Sequence, residues 1–429
     1  MQLHTKRALD FYVGRPVLSA LQALAWALGR ILRRSHGVEP VRTILIAKFQ
    51  GLGSLVIAKP AIAAVRRHYP NARITFWGTR SMLPLAREMP EFDDIVVLDD
   101  RSLLAAARSV IAAIFRFWRA GVDWAFDLET YSRLSSVLIT LTLARNRTGF
   151  ALEQLRSRRV HTHLVFFNRY LHVGEAYARL FGQLLPADHS IDVKDFGSWR
   201  FALEPIPPLQ GQRYFLFNIH AGDLALERRW PRESFRILID SLLQKFPDAR
   251  AVLIGHGARE AEYTAPLVQS SRVIDVSGKL SLTETIRAIA NADLVVTNDT
   301  APLHFALSTG VKVVGLFGPT RAGTYLTPGR PGTAAAQVQL YCSPCVHHWE
   351  PPPCNGDNQC MKRLSPALVF ARCCELLGAP TPELLLMPNE SNGSTYYPGL
   401  VYRSKRGQDP LRTGVNSEHA GIAGNKAAP

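Results

Sequence analysis

The sequence predicts an α/β protein built from two doubly wound, Rossmann-like domains facing a cleft. From residue 43 onward, short apolar β-branched runs alternate with helical patterns, the rhythm of a parallel sheet covered on both faces. A proline-rich segment, EPIPPLQGQ (204–212), interrupts that rhythm, and a second alternating series follows it. The 429 residues, 47% of them apolar, suffice for two or three domains with real cores. They exclude a disordered chain, a coiled coil, a small secreted module and a polytopic membrane protein. The expected segments are 1–40, basic and amphipathic; 41–203, the first domain; 204–212, a linker; 213–387, the second domain; and 388–429, an Asn-, Ser- and Gly-rich tail expected to be disordered.

The first segment carries Lys6, Arg7, Arg15, Arg30, Arg33 and Arg34 against one acid, Asp10. Its apolar run, PVLSALQALAWALG, has 14 residues, short of the about 20 that a bilayer span needs. Leu18, Leu21, Ala25, Leu28 and Leu32 recur at helical spacing with cations on both sides. That pattern predicts a helix lying in the membrane interface, with Trp26 at headgroup depth and arginines on anionic lipid. A helix packed on the protein is the alternative. A cleavable signal fits poorly, because RILRR stands where small residues should follow. The whole chain has 50 Lys and Arg against 35 Asp and Glu, a net charge of +15, which calls for anionic partners: nucleic acid, anionic lipid or a phosphorylated substrate.

In the first domain TILIAK (43–48) reads as a buried strand, followed by the turn FQGLGS and a helix opened by Pro60. ARITFWG (72–78), DIVVL (94–98) and VDWAFDL (122–128) repeat the theme, with helices near 82–89, 102–119 and 132–144. The second domain offers strands at 214–220, 250–255, 272–277, 293–298 and 312–318, separated by helices at 232–246, 258–269, 282–291 and 301–309. Ser281 followed by Glu284 predicts a capping box at the third of these helices. Ligands of such sheets bind at the carboxyl ends of the strands, so two facing domains make a cleft there.

Three stretches fall on that edge. In KFQGLGSLVIAKP (48–60), Gly51 and Gly53 let backbone amides approach an anion or a sugar, although Val56 occupies the place of the third Rossmann glycine. In NIHAGDLALERRWPRESF (218–235), Arg228 and Arg229 at a strand end suit a diphosphate, while Trp230 has a packing role. In TNDTAPLHFALSTGVKVVGLFGPT (297–320), Asp299 is expected to cap helix 301–309, leaving amides near Thr300 and Ala301 toward the cleft. His304 reads as a satisfied core histidine, and FGPT (317–320) closes the last strand on the same edge.

In this order the motifs resemble the family 9 glycosyltransferases, best known as the heptosyltransferases of lipopolysaccharide core assembly; the likeness spans roughly residues 43–375. The resemblance implies a GT-B fold, an ADP-heptose-type donor on the second domain, an acceptor on the first, and inversion at the anomeric carbon without metal or other cofactor. It places Asp299, Thr300 and Ala301 at the donor's diphosphate end, Arg228 against phosphate, and Glu260, in GHGARE, on the nucleoside ribose. Lys48, with Gly51 and Gly53, is expected to meet a phosphate or the acceptor.

The chain departs from the family in two places: Ser54 stands where members carry an aspartate, the proposed general base, and Ala301 where a glycine is usual. A hydroxyl has no accessible conjugate base near neutral pH, so another carboxylate must take the proton. FDLETYSR (126–133) supplies Glu129 on the same cleft edge; Asp127 is deeper and expected to satisfy backbone.

Cys342, Cys345, Cys354 and Cys360 form C-x2-C-x8-C-x5-C, with His347 and His348 inside the loop. The ligand number suits zinc but the second spacing is not a knuckle, so zinc, disulfides and free thiols all remain open. The expected function is inverting transfer of a sugar, heptose from ADP-heptose, onto an anionic lipid-linked saccharide such as lipopolysaccharide core, by a peripheral enzyme on the cytoplasmic face of the inner membrane. A catalytically silent sugar-nucleotide or glycolipid binder is the alternative raised by Ser54. No nucleic-acid-binding module is visible, and no nucleic-acid partner is expected.

Overall fold

A computed structural model of the chain describes residues 5, 8–32, 36–37, 39–152, 160–222, 225–327, 329–346 and 352–380. Lys6, Arg7, Arg33, Arg34, His347, His348, the expected tail, and the side chains of Trp26, Leu28, Arg30 and Leu32 lie outside the described residues.

Helix α1 (Arg15–Leu32) precedes the first sheet. Then come β1 (Thr43–Lys48), α2 (Leu52–His68), β2 (Arg73–Thr79), α3 (Leu83–Arg87), β3 (Asp94–Leu98) and α4 (Leu103–Ala120). The first domain continues with β4 (Trp124–Asp127), α5 (Arg133–Leu141), β5 (Asn146–Ala151), β6 (His163–Phe166) and α6 (Val173–Phe181). The second sheet opens with β7 (Tyr214–Asn218), α7 (Arg232–Lys245), β8 (Arg250–Ile254), α8 (Gly257–Thr264), β9 (Val273–Asp275) and α9 (Leu282–Ala290). It closes with β10 (Leu294–Asn298), α10 (Ala301–Thr309), β11 (Val313–Phe317), α11 (Ala322–Tyr325), β12 (Thr333–Gln337), α12 (Gln359–Lys362) and α13 (Pro366–Leu377).

The sheets run β3-β2-β1-β4-β5-β6 and β12-β11-β10-β7-β8-β9, with parallel pairing throughout. Numbered within its own domain each is a 3-2-1-4-5-6 sheet, the doubly wound order, so the expected fold class holds. The strand order reverses between β1 and β4 and again between β7 and β10. Those two crevices are where this topology binds ligands.

Alternation along β1 shows why the strand reads as one apolar run. Ile44 and Ile46 pack with α2 and α6 on one face, Leu45 and Ala47 with α4 and α5 on the other. The linker is tied down: Arg287 of α9 donates from Nε to the Glu204 carbonyl at 2.8 Å and from Nη2 to the Pro205 carbonyl at 3.1 Å. The capping box is present, Glu284 N donating to Ser281 Oγ at 3.2 Å and Ser281 N to Glu284 Oε2 at 2.8 Å.

Two expectations are corrected. Helix α2 starts at Leu52, not at Pro60, which lies inside it; Gly51 ends the turn at φ +82°. Pro60 removes one helical hydrogen bond, but every residue from Leu55 to Val65 is buried, and that packing outweighs the lost bond. The second correction concerns α1. Leu18 is fully buried against Val137 of α5 and Val160, with Leu21 and Leu141 alongside, so Leu18 and Leu21 face protein and not lipid. Asp10 holds this segment in place, its Oδ1 accepting from Arg133 N at 2.6 Å and Leu134 N at 2.7 Å, where a carboxylate suits the N-terminus of α5. Among the described residues no helix is long and apolar enough to cross a membrane.

Candidate active site

At the first switch point β1 delivers Lys48 and β4 delivers Asp127, one residue out of register, with Ala47 opposite Asp127. Beyond β4, Glu129 folds back under the turn that follows β1. Its Oε1 accepts from Phe49 N at 2.7 Å and Gln50 N at 2.8 Å, and its Oε2 lies 3.2 Å from Lys48 Nζ. Both charged groups are buried, which makes the pair depend on this mutual neutralisation and on the two amides. Asp127 is deeper, as its place at the strand end implies. Its Oδ1 accepts from Glu129 N at 3.1 Å and its Oδ2 from the Ser135 and Ser136 hydroxyls, each at 3.0 Å.

Ser54 sits half-buried in the first turn of α2, beside the hydroxyl of Tyr177 on α6, which donates to the Leu128 carbonyl at 3.5 Å. Burial, reinforced by the Glu129 and Asp127 charges, pushes the Tyr177 phenol well above its ordinary value. Tyr177 therefore stays protonated throughout the working range.

At the second switch point Asn218, at the end of β7, donates from Nδ2 to Thr297 Oγ1 at 2.9 Å and to Thr300 Oγ1 at 2.8 Å. Arg228 donates from Nη1 to the Asp299 carbonyl at 2.7 Å and lies 3.8 Å from Asp299 Oδ2. The buried Nε of Arg228 has no hydrogen-bond partner among the described residues. Arg229 turns aside and stacks on Tyr263, 4.4 Å from the ring centre. Trp230 is fully buried, its backbone N–H donating to Asn298 Oδ1 at 3.0 Å, which fixes the entry to α7.

The capping expectation is corrected: the N-cap of α10 is Thr300, without a side-chain cap, and Asp299 stands one residue outside it. The first-turn amides of α10 are thus left without a side-chain cap at the cleft edge. Glu260 lies in the first turn of α8, after β8, where its Oε2 accepts from His256 N at 2.6 Å.

The two switch points meet through Gly53 and His304. A β-carbon at Gly53 would fall 2.4 Å from His304 Cδ2 and 3.4 Å from Ala301 Cα, so α2 and α10 approach end to end. His304 is not a satisfied core histidine. Its Nδ1 has no partner among the described residues, and its Nε2 is 4.0 Å from Asp299 Oδ1. Burial, with the neighbouring His172 and Arg228 charges, pulls its pKa down to about 3, so the ring is neutral.

Sequence reasoning missed His172, Tyr177 and Tyr325. His172 caps α6, its Nδ1 accepting from Gly174 N at 3.2 Å, and lies against the Tyr325 backbone. The Tyr325 ring is 6.0 Å from that of His304, and burial beside Asp299 raises its phenol. The helical spacing of Val173, Ala176, Tyr177 and Leu180 was the available signal for α6. Cys342, Cys345, Cys354 and Cys360 are free cysteines; burial and their neighbours push the Cys345 thiol up to about 12 and that of Cys360 to about 11. Among the described residues no group of three or more His, Cys, Asp or Glu is arranged to hold a metal ion.

Comparison with known proteins supplies the family. The chain is 25% identical over 326 residues to lipooligosaccharide heptosyltransferase 2 of Campylobacter jejuni, covering 74% of this chain and 94% of that one. It is 24% identical over 322 residues to lipopolysaccharide heptosyltransferase 1 of Pseudomonas aeruginosa, covering 71% and 86%. The structure of Escherichia coli ADP-heptose lps heptosyltransferase II superposes with a TM-score of 0.60 at 16% identity, over 78% of this chain and 98% of that one, which shows a shared fold. The model of glycosyltransferase family 9 (heptosyltransferase) matches residues 116–354, more than half of the chain, and the protein belongs to that family.

Proposed function

We propose that the protein is an inverting, metal-independent glycosyltransferase that moves heptose from ADP-heptose onto a lipopolysaccharide-core or related surface glycolipid, working peripherally on the cytoplasmic face of the inner membrane. The observation that carries this reading is the meeting of two switch points, the Gly51–Ser54 turn against the Arg228–Asp299–α10 end, in a chain of this family. The named activities of its relatives supply the sugar and the acceptor class. In this reading residues 41–203 hold the acceptor and 213–387 the donor.

The acceptor hydroxyl oxygen attacks the anomeric carbon on the face opposite the nucleotide, and the bond from that carbon to the diphosphate oxygen breaks. Negative charge grows on departing ADP. Arg228 and the first amides of α10, at Thr300 and Ala301, meet that charge, the electrostatic contribution that commonly dominates such transfers. Positive charge from the chain itself is why turnover should survive a chelator. Asp299 aims Arg228 and the helix end, and Glu260 holds the ribose. Lys48 with Gly51 and Gly53 faces the acceptor side. Glu129 takes the acceptor proton at Oε2, the oxygen beside Lys48, and Ser54 with the neighbouring Tyr177 positions the hydroxyl.

The test is ADP release from ADP-heptose with a heptose-deficient lipopolysaccharide acceptor, run with and without EDTA. Acceptor-dependent release that persists in EDTA supports the reading. Ser54 motivates the second reading, a silent binder. A donor-induced rise in melting temperature with no acceptor-dependent ADP release would establish that reading instead.

A further inference from the structure

Helix α4 is apolar on two faces, and among the described residues only one of them is covered. Ala113, Ile114 and Phe117 are buried against the first sheet. Leu104, Ile111, Phe115 and Trp118, spaced at helical intervals along a second side, are 61%, 57%, 54% and 46% exposed. This stripe is ordered: Ser102 caps the helix, Trp118 Nε1 donates to the Leu141 carbonyl at 2.8 Å, and Phe115 packs edge-on to Trp118.

We propose that this stripe is a bilayer-docking surface for anionic lipid. Charge complementarity selects the occupant. The sequence of α4 contains no acid, and exposed Arg108 and Arg119 flank the stripe. Of the nearby acids, Asp94 is paired with Arg73 and Arg116, and Asp99 with Arg101. The same outer side carries more apolar surface. α5 covers the sheet face that α4 covers, α1 packs on α5, and α1 with the turn before it exposes Val13, Val17 and Leu24. Thus α1 contributes to the docking face through these residues and not through Leu18 and Leu21. The proposal rests on the reading of a membrane-peripheral enzyme with a lipid-linked acceptor and names the surface that would meet the lipid.

The experiment is flotation of the full-length protein with vesicles of phosphatidylethanolamine and phosphatidylglycerol, against neutral phosphatidylcholine vesicles. The variants are Leu104→Ser/Ile111→Ser/Phe115→Ser, Arg108→Glu/Arg119→Glu, and Val17→Ser/Leu24→Ser on α1. Thermal melts establish that each is folded, and ADP release with a lipid-free saccharide acceptor should match the wild type. Wild type should bind anionic vesicles, and both α4 variants should lose at least about tenfold in partitioning. If wild type binds and only the α1 variant weakens, the α4 proposal fails while membrane association stands. If wild type ignores anionic vesicles, both fail. If wild type sediments as a dimer that the α4 variants split, a second copy covers the stripe and the proposal is overturned. Vesicle binding requires no turnover, so the result is independent of the catalytic assignment.

Discussion

Gly53 lies against the His304 ring so closely that a β-carbon would come within 2.4 Å of Cδ2, with the Ala301 backbone 3.4 Å away. The first turns of α2 and α10 are thereby held at contact distance. Gly53→Ala must displace a buried imidazole or separate the helices. Overpacking of this kind costs about 1–3 kcal/mol, so the variant should melt lower and turn over more slowly. An unchanged melting temperature and rate would mean the contact is not maintained in solution.

The same histidine sets an acid limit on stability. His304 titrates at about 3 in the folded protein against 6.5 for an ordinary histidine. Below pH 6.5 the unfolded chain takes up a proton that the folded chain refuses until about pH 3. Stability is therefore full above pH 6.5 and falls as pH drops through that window, by on the order of a few kcal/mol. Urea unfolding of wild type and His304→Leu between pH 7 and 4 checks this. The variant should show a shallower decline, and identical slopes would remove His304 from the account.

Arg228 is held by the Asp299 carbonyl with its Nε buried and unpartnered, a guanidinium poised for an anion. Arg228→Gln should lower kcat by about 10²–10³-fold, the usual cost of one preorganised charge-stabilising donor. Asp299→Asn keeps the carbonyl that holds Arg228 and removes only the carboxylate charge 3.8 Å from it, so it should weaken the same step by less. Steady-state kinetics on both variants, with ADP affinity measured separately, distinguishes transition-state stabilisation from ground-state binding.

Glu129 has two tasks in this account, and they can be separated. Glu129→Gln should reduce turnover by about 10²–10⁴-fold without weakening donor binding, because a general base touches only the acceptor. A slower enzyme that also melts lower and binds the acceptor more weakly would assign Glu129 to holding the Phe49 and Gln50 amides. Ser54→Ala should cost little; a large loss there with a silent Glu129→Gln would move the proton transfer to the first turn.

What the sequence disclosed follows from how information is stored along a chain. TILIAK and DLVVTN are buried on both faces and announce central parallel strands as unbroken apolar runs. NRTGFA of β5 is interrupted by polar groups, HLVF of β6 is only four residues long and largely exposed, and TAAAQ of β12 is mostly alanine, so these three strands were not seen. The motifs fell on the correct edge because strand ends are local features. Their partners were not local. The grip of Glu129 on the first turn and the bond from Tyr177 to the Leu128 carbonyl join distant segments, and no periodicity encodes them. Pro60 misled because its preference for a helix start is weaker than the packing of an entire buried helix.

The most direct test of the central claim is the product itself. Purified protein, ADP-heptose and a heptose-deficient lipopolysaccharide acceptor should yield an acceptor heavier by one heptosyl residue in the mass spectrum. NMR should show the new linkage with anomeric configuration opposite to that of the donor. An acceptor of unchanged mass, with ADP-heptose bound but intact, would contradict the account, and a product that retains the donor configuration would contradict its mechanism.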